Sequence, residues 1–275
     1  MPIRSFKPTS PAIRGKNGYD FSDITAERPY KPLTAPLKRT GGRNFYGRVT
    51  SRGIGGGHKK KYRIIDFRRD KLNISAKVVS IEYDPNRTCR IALVKYDDGQ
   101  MRYILCPLSL KVGDMVISGP QSEIKVGNSL PLENIPPGIP IHNVEFSIGH
   151  GGKIARSAGD LCTILAKEGQ YAHIRMPSGE IRLINTRCYA TIGQVGNIEH
   201  NTVSLGKAGR SKWMGRVPVV RAVARNPVDH PMGGGQGKTS GGRQPCSRKG
   251  QYSKGLKTRR RKITTQFILR GRNTK

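Results

Sequence analysis

Through the middle of the chain, apolar and polar residues alternate with the period of two that marks a strand buried on one face. Residues 77–83 read KVVSIEY and place Val79, Ile81 and Tyr83 on one side. Asp84-Pro85-Asn86-Arg87 is turn chemistry, because proline presets φ and short Asp and Asn side chains bond their own backbone. Residues 90–96 predict a second strand, Asp97-Asp98-Gly99 a tight hairpin turn, and 101–105 a third strand. Residues 160–166, 171–176 and 181–184 are again strand-like, with Pro177-Ser178-Gly179 as the turn. Between 61 and 200 no apolar stripe recurs at helical spacing over a useful length, so the predicted fold class is mainly β.

Two stretches of this region echo each other. VKYDDGQMRYI (94–104) lies beside IRMPSGEIRLI (174–184), and each is followed by a V-G-[DN] turn, Val112-Gly113-Asp114 and Val195-Gly196-Asn197. Any two hairpins resemble each other to some degree, so the echo is open to either reading. Both lead to two successive β units, 61–125 and 126–200, of a size that suits small OB-like or SH3-like barrels. The proline-rich segment 131–140 is expected to be a loop of the second unit.

Charge changes this picture at the ends. The chain has 275 residues, with 50 Lys and Arg against 18 Asp and Glu, a net +32. Residues 1–60 carry net +10, 61–125 carry +4, 126–200 are neutral, and 201–275 carry +18. A polyanion is the natural counter-charge, and nucleic acid is the commonest one. The two ends are also rich in glycine and proline and poor in apolar residues, so a core in them cannot offset chain entropy. The expectation is a folded core within 61–200, with 1–60 and 201–275 as basic extensions that order against their polyanion. No stretch approaches ~18 consecutive apolar residues, which argues against a membrane span, and the first 30 residues hold no apolar run of a secretory signal. Five widely spaced cysteines with no C-x-x-C pair are expected to be reduced, buried thiols, and no pattern calls for a metal or another cofactor.

The candidate site residues are basic and glycine-rich. His58-Lys59-Lys60-Lys61 follows Gly55-Gly56-Gly57, where bare backbone lets N–H groups approach phosphates and lysines add charge. Arg63, Arg68 and Arg69 are expected to continue that basic surface. Gly149-His150-Gly151-Gly152-Lys153, with Arg156, repeats the theme. Lys207, Arg210, Lys212, Arg216, Arg221 and Arg225 surround Trp213, the single Trp, which reads either as a base-stacking platform or as a core anchor. Asp229, His230, Gly233, Gly234, Gly235 and Lys238 form the last cluster, continued by Arg243, Arg259, Arg260, Arg261 and Lys262. The run Gly233 to Thr239 is not a nucleotide-binding P-loop, because Met232 occupies its first glycine position and Pro227 and Pro231 exclude a leading strand. Asp229-His230 lacks a nucleophile at a recognisable spacing, so a hydrolase is not expected, and His230 reads as an RNA contact or a structural residue bonded to Asp229.

Several of these runs are specific to one family. Asn226-Pro227-Val228-Asp229-His230-Pro231 with Gly233-Gly234-Gly235 resembles the signature of the universal large-subunit ribosomal protein two family. Gly206-Lys207-Ala208-Gly209-Arg210, Gly215-Arg216-Val217-Pro218, Tyr30-Lys31-Pro32-Leu33 and the 53–60 run are similar to the same family, in its bacterial or organellar form. The resemblance implies an OB-like barrel followed by an SH3-like barrel, with long basic extensions in ribosomal RNA. It also implies a structural role in the large subunit: binding large-subunit rRNA near the peptidyl transferase centre, touching neighbouring ribosomal proteins and aiding association with the small subunit. The protein would then be no enzyme and would work in ribosomes of the cytoplasm or of an organelle, away from membranes. Two positions depart from the family pattern, Met232 where a second His is common and Gln236 where an acid is common. The alternative reading is a nucleic-acid-compacting protein or RNA chaperone outside the ribosome, which the neutral second unit disfavours.

Overall fold

The computed structural model describes residues 3–256, 258–259 and 263–272. Its described residues divide into two compact units, one of 3–38, 59–207 and 264–272, the other of 39–58 and the described part of 208–263.

The first unit holds both barrels. In the OB-like barrel the order is Met101–Leu105, Ile91–Tyr96, Ala76–Glu82, Met115–Val116, all antiparallel. Ile91–Tyr96 is almost wholly apolar because both of its faces are covered. Ala92, Val94 and Tyr96 enter a core with Ala76, Val78 and Ile104, while Ile91 and Leu93 enter another with Cys89, Tyr103 and Leu105. The facing of the preceding strand differs from the alternation expected. Val78 and Ser80 are buried, whereas Val79 and Tyr83 are exposed. Val79 is the extra residue of a bulge between the pairs Val78–Val94 and Ser80–Leu93, which shifts the phase of the strand.

The SH3-like barrel is a seven-stranded sheet in the order Ile268–Arg270, Ile181–Asn185, Tyr171–Arg175, Cys162–Glu168, Pro140–His142, Tyr189–Ile192, Ser129–Pro131. Leu130, Ile141, Ile164, Ile174, Ile184 and Ile192 fill it. The segment 131–140 is more than a loop: a 3-10 turn, Leu132–Asn134, follows the Ser129–Pro131 strand and buries Leu132, and Ile135 is buried next to it. The two echoing hairpins close alike. Gly99 N–H donates to Tyr96 O and Tyr96 N–H to Gln100 O, and Gly179, Met176 and Glu180 repeat those bonds, all at 2.9 Å. Both glycines have φ near +80°, which a tight hairpin turn requires.

The barrels share a seam. Leu108 N–H donates to Gln194 O (2.7 Å) and Gly196 N–H to Cys106 O (3.0 Å), and Val195 between them is buried against Tyr103 and Leu105. The amino-terminal segment also belongs here: Ile3–Ser5 pairs with Asn17–Tyr19, and Thr34–Pro36 pairs with Lys61–Arg63.

The second unit joins two distant segments by backbone bonds. Gly55 N–H donates to Gly215 O (3.0 Å), Val217 N–H to Gly53 O (2.9 Å) and His58 N–H to Trp213 O (2.9 Å). It has a short helix, Ala208–Trp213, a 3-10 turn, Ala222–Ala224, and turns. Among its described residues only His230 and Cys246 are buried. No helix among the described residues is long and apolar enough to cross a membrane.

Candidate nucleic-acid interface

In the second unit, segments 39–58 and 208–263 hold 19 Lys and Arg against a single acid, Asp229. Arg210 and Lys212 sit in the last turn of the Ala208–Trp213 helix, where cations meet the negative end of the helix. Lys212, Arg216, Arg221, Lys238, Arg243 and Arg259 are exposed, and Arg210 and Arg225 are half-buried. Trp213 is 60% exposed, so it is no core anchor. Arg260, Arg261 and Lys262 lie outside the described residues.

The glycines of this unit serve its own chain first. A Cβ on Gly57 would stand 2.6 Å from Gly215 N, and one on Gly233 would stand 2.6 Å from Arg225 O, besides striking Asn226 O. The Gly55–Gly57 run is therefore packed on Gly215 rather than left as a bare arm, and Arg39 donates to the carbonyls of Gly56, Gly57 and His58. His58 itself is exposed.

The loop 226–234 is a closed turn. Gly234 N–H donates to Arg225 O (2.7 Å), and Asn226 O accepts from Asp229 N–H (3.0 Å) and His230 N–H (3.3 Å). The His230 ring is buried, and its Nδ1 accepts from Met232 N–H (3.1 Å). That bond, and not one to the exposed Asp229, anchors the ring. Met232 in turn accepts from Cys246 N–H at Sδ (3.4 Å), tying the next turn to this one. Gly235 is exposed. No strand leads into 233–239, as the dismissal of a P-loop requires.

In the first unit the basic residues divide. Lys59, Lys61, Arg68, His150, Lys153, Arg156 and Lys207 are exposed. Lys60 is half-buried and its Nζ donates to Pro85 O (2.8 Å). Arg63 and Arg69 do not extend the surface: both are buried, with Arg69 Nη2 donating to Gly127 O (3.2 Å) and Arg63 Nη1 to Lys61 O (3.1 Å). Position in a basic run does not reveal which way a side chain turns, and these two turn inward. Arg156 lies over the Phe67 ring (4.5 Å to its centre) and Arg87 stands 5.6 Å from that centre, so two guanidiniums gather at one aromatic ring. Arg87 was hidden in the sequence inside turn chemistry, where it pairs with buried Asp84 at 2.5 Å.

The His150 loop is held from within. Buried Glu145 accepts from Gly151 N–H (2.8 Å), Tyr189 N–H (3.1 Å) and Gly149 N–H (3.4 Å). Among the described residues no group of three or more His, Cys, Asp or Glu is placed to hold a metal. All five cysteines are free and buried, and burial pushes the thiols of Cys89 and Cys188 up to about 11 and those of Cys106 and Cys162 up to about 12. Cys89, Cys106, Cys162 and Cys188 are therefore thiols, not reactive thiolates, near neutral pH.

Residues 30–118 match the family model described as Ribosomal Proteins L2, RNA binding N-terminal domain. Residues 125–250 match the model described as Ribosomal Proteins L2, C-terminal domain.

Proposed function

The chain belongs to the ribosomal protein L2 family and is a structural, RNA-binding constituent of the large ribosomal subunit, and from that premise we propose that it organises large-subunit rRNA near the peptidyl transferase centre and aids association with the small subunit. One observation carries the reading: a unit with 19 bases against one acid buries only two of its described residues. Such a segment cannot neutralise itself, and the phosphates of folded RNA supply what it lacks.

On this reading the exposed bases of 208–263 and of the His150 loop lie on rRNA phosphates, Trp213 stacks on a base, and the Phe67–Arg156–Arg87 group forms a second stacking place. By charge the chain divides as a basic 1–60, barrels at 61–125 and 126–200, and a basic 201–275, from which Ile268–Arg270 returns to the edge of the second barrel. On this reading the RNA performs the chemistry, and His230, whose Nδ1 accepts from the Met232 N–H, serves to hold its own turn. The neutral second barrel argues against a general nucleic-acid condenser, which needs no such domain. The test is sedimentation of tagged full chain with large subunits in high salt, followed by crosslinking and sequencing of attached RNA. Crosslinks clustered at the catalytic centre of the large subunit are expected. Crosslinks scattered over unrelated RNAs would defeat the reading.

A further inference from the structure

Three arginines far apart in sequence, Arg52, Arg225 and Arg248, line one cavity of about 420 Å³ in the second unit, together with Asn226 and Asp229. Each is set by backbone bonds next to it. Gly53 O accepts from Val217 N–H (2.9 Å), Arg225 O from Gly234 N–H (2.7 Å), and the turn beyond Cys246 is closed by Ser247 N–H to Gln251 O (2.7 Å). The Cys246 to Met232 Sδ bond holds that last turn against the 226–234 turn. The fold therefore brings the backbones of all three arginines to the rim of one cavity.

Among the described residues none of the three forms an ion pair. Arg225 Nη2 donates to Val220 O (3.1 Å), which leaves most of its donors available. Asp229 supplies one negative charge to the lining, so the cavity keeps net +2. Like charges lining one cavity repel, and an anion between them reverses the sign of that interaction. Guanidinium forks match phosphate oxygens in pairs, as ammonium groups do not.

We propose that Arg52, Arg225 and Arg248 form one shared binding site for a phosphate group of the RNA backbone. This rests on the rRNA-binding reading above and adds two residues, Arg52 and Arg248, and a stoichiometry: three arginines on one phosphate.

The test uses the full chain and large-subunit rRNA transcribed in vitro, with affinity measured across a range of salt. The variants are Arg52→Ala, Arg225→Ala, Arg248→Ala, their pairs, the triple, and Arg248→Lys. One phosphate contributes about 0.7–0.9 to the slope of log K on log salt. The triple variant is expected to lose about that much slope and no more, and its affinity loss should fall well short of the product of the three single losses, because the residues share a ligand. Arg248→Lys should keep the slope but bind several-fold more weakly, since the charge stays and the fork is lost. Slopes that fall by one phosphate for each arginine removed, or variants that all bind like the wild type, overturn the shared site. Inorganic phosphate should displace the RNA more strongly than chloride at equal ionic strength, because it offers the same oxygens to the guanidinium forks. That preference should vanish in the triple variant, whereas a phosphate preference lost in the triple variant with no change in its RNA salt slope would assign the site to a free anion instead. A wild-type chain with no preference for large-subunit rRNA over other RNA of the same length defeats the underlying reading, while slope differences among the variants on either RNA still decide the site.

Discussion

A buried histidine can act as reagent, switch or packing, and its hydrogen bonds decide which. At His230, Nδ1 accepts the Met232 N–H, so the ring closes a turn whose next residues, Gly233 and Gly234, are pressed on Arg225, Asn226 and Pro227. His230→Ala leaves the part-buried Met232 N–H without a partner, which costs about 1 kcal/mol. Hydrogen exchange at Met232, Gly233 and Gly234 should speed up. Peptide-bond formation by purified subunits should fall only as far as their content of the protein falls. Gly234→Val should do at least as much harm, because φ is +90° and its Cβ would stand 2.8 Å from Pro227 Cγ. If His230→Ala abolishes peptide-bond formation in fully assembled particles while Gly234→Val is silent, a chemical role returns. His142 is a switch of another kind. It is wholly buried, its Nδ1 bonded to Gly193 O at 2.8 Å, and burial pushes its pKa from the usual 6.5 down to about 4, with Arg69 adding to the effect. The unfolded chain takes up a proton below pH 6.5 that the folded chain refuses until about pH 4. Stability from this residue is therefore present above pH 6.5 and lost as pH falls through that window, at up to about 1.4 kcal/mol per pH unit. Urea unfolding at pH 7 and pH 5 should show the loss in the wild type and a smaller one in His142→Asn.

Glu145 shows what one buried group does for an element. Its carboxylate serves three backbone N–H groups and so sets both the 149–151 loop and the start of the Tyr189–Ile192 strand. Glu145→Ala should destabilise the first unit by on the order of 3 kcal/mol, read from the shift of its urea midpoint, with Glu145→Gln in between. Nothing in the sequence marks this acid as buried, because its partners come from the loop and from a strand more than 40 residues on. The strands and hairpins were legible for the opposite reason: alternation and turn residues are local and are dictated by the pleat itself. The Val79 bulge, the burial of Leu132 and Ile135, and the inward turn of Arg63 and Arg69 depend on a partner strand or on core shape, which no local pattern carries. The basic clusters were legible as charge. That their glycines pack on their own chain was not, since Gly57 and Gly233 meet residues that only folding brings near.

For the whole molecule, charge and burial are arranged in opposition: the cores lie in the first unit, and the second combines the densest positive charge with almost no interior. Replacing 208–263 by a flexible linker should therefore flatten the salt dependence of rRNA binding more than removing 39–58, because 15 bases leave in the first case and four in the second. Equal slopes for the full chain and the linker variant would place the binding elsewhere. The linker must keep residues 264–275, and the reason lies in the seven-stranded sheet. Its outermost strand on one side, Ile268–Arg270, is made only after 208–263. A copy that stops anywhere within 208–263 leaves Ile181–Asn185 as an open edge, with a row of backbone groups offered to any strand that comes by. Such unfinished copies should be found as aggregates in the pellet, and a peptide carrying residues 264–272 should return part of them to solution by covering that edge.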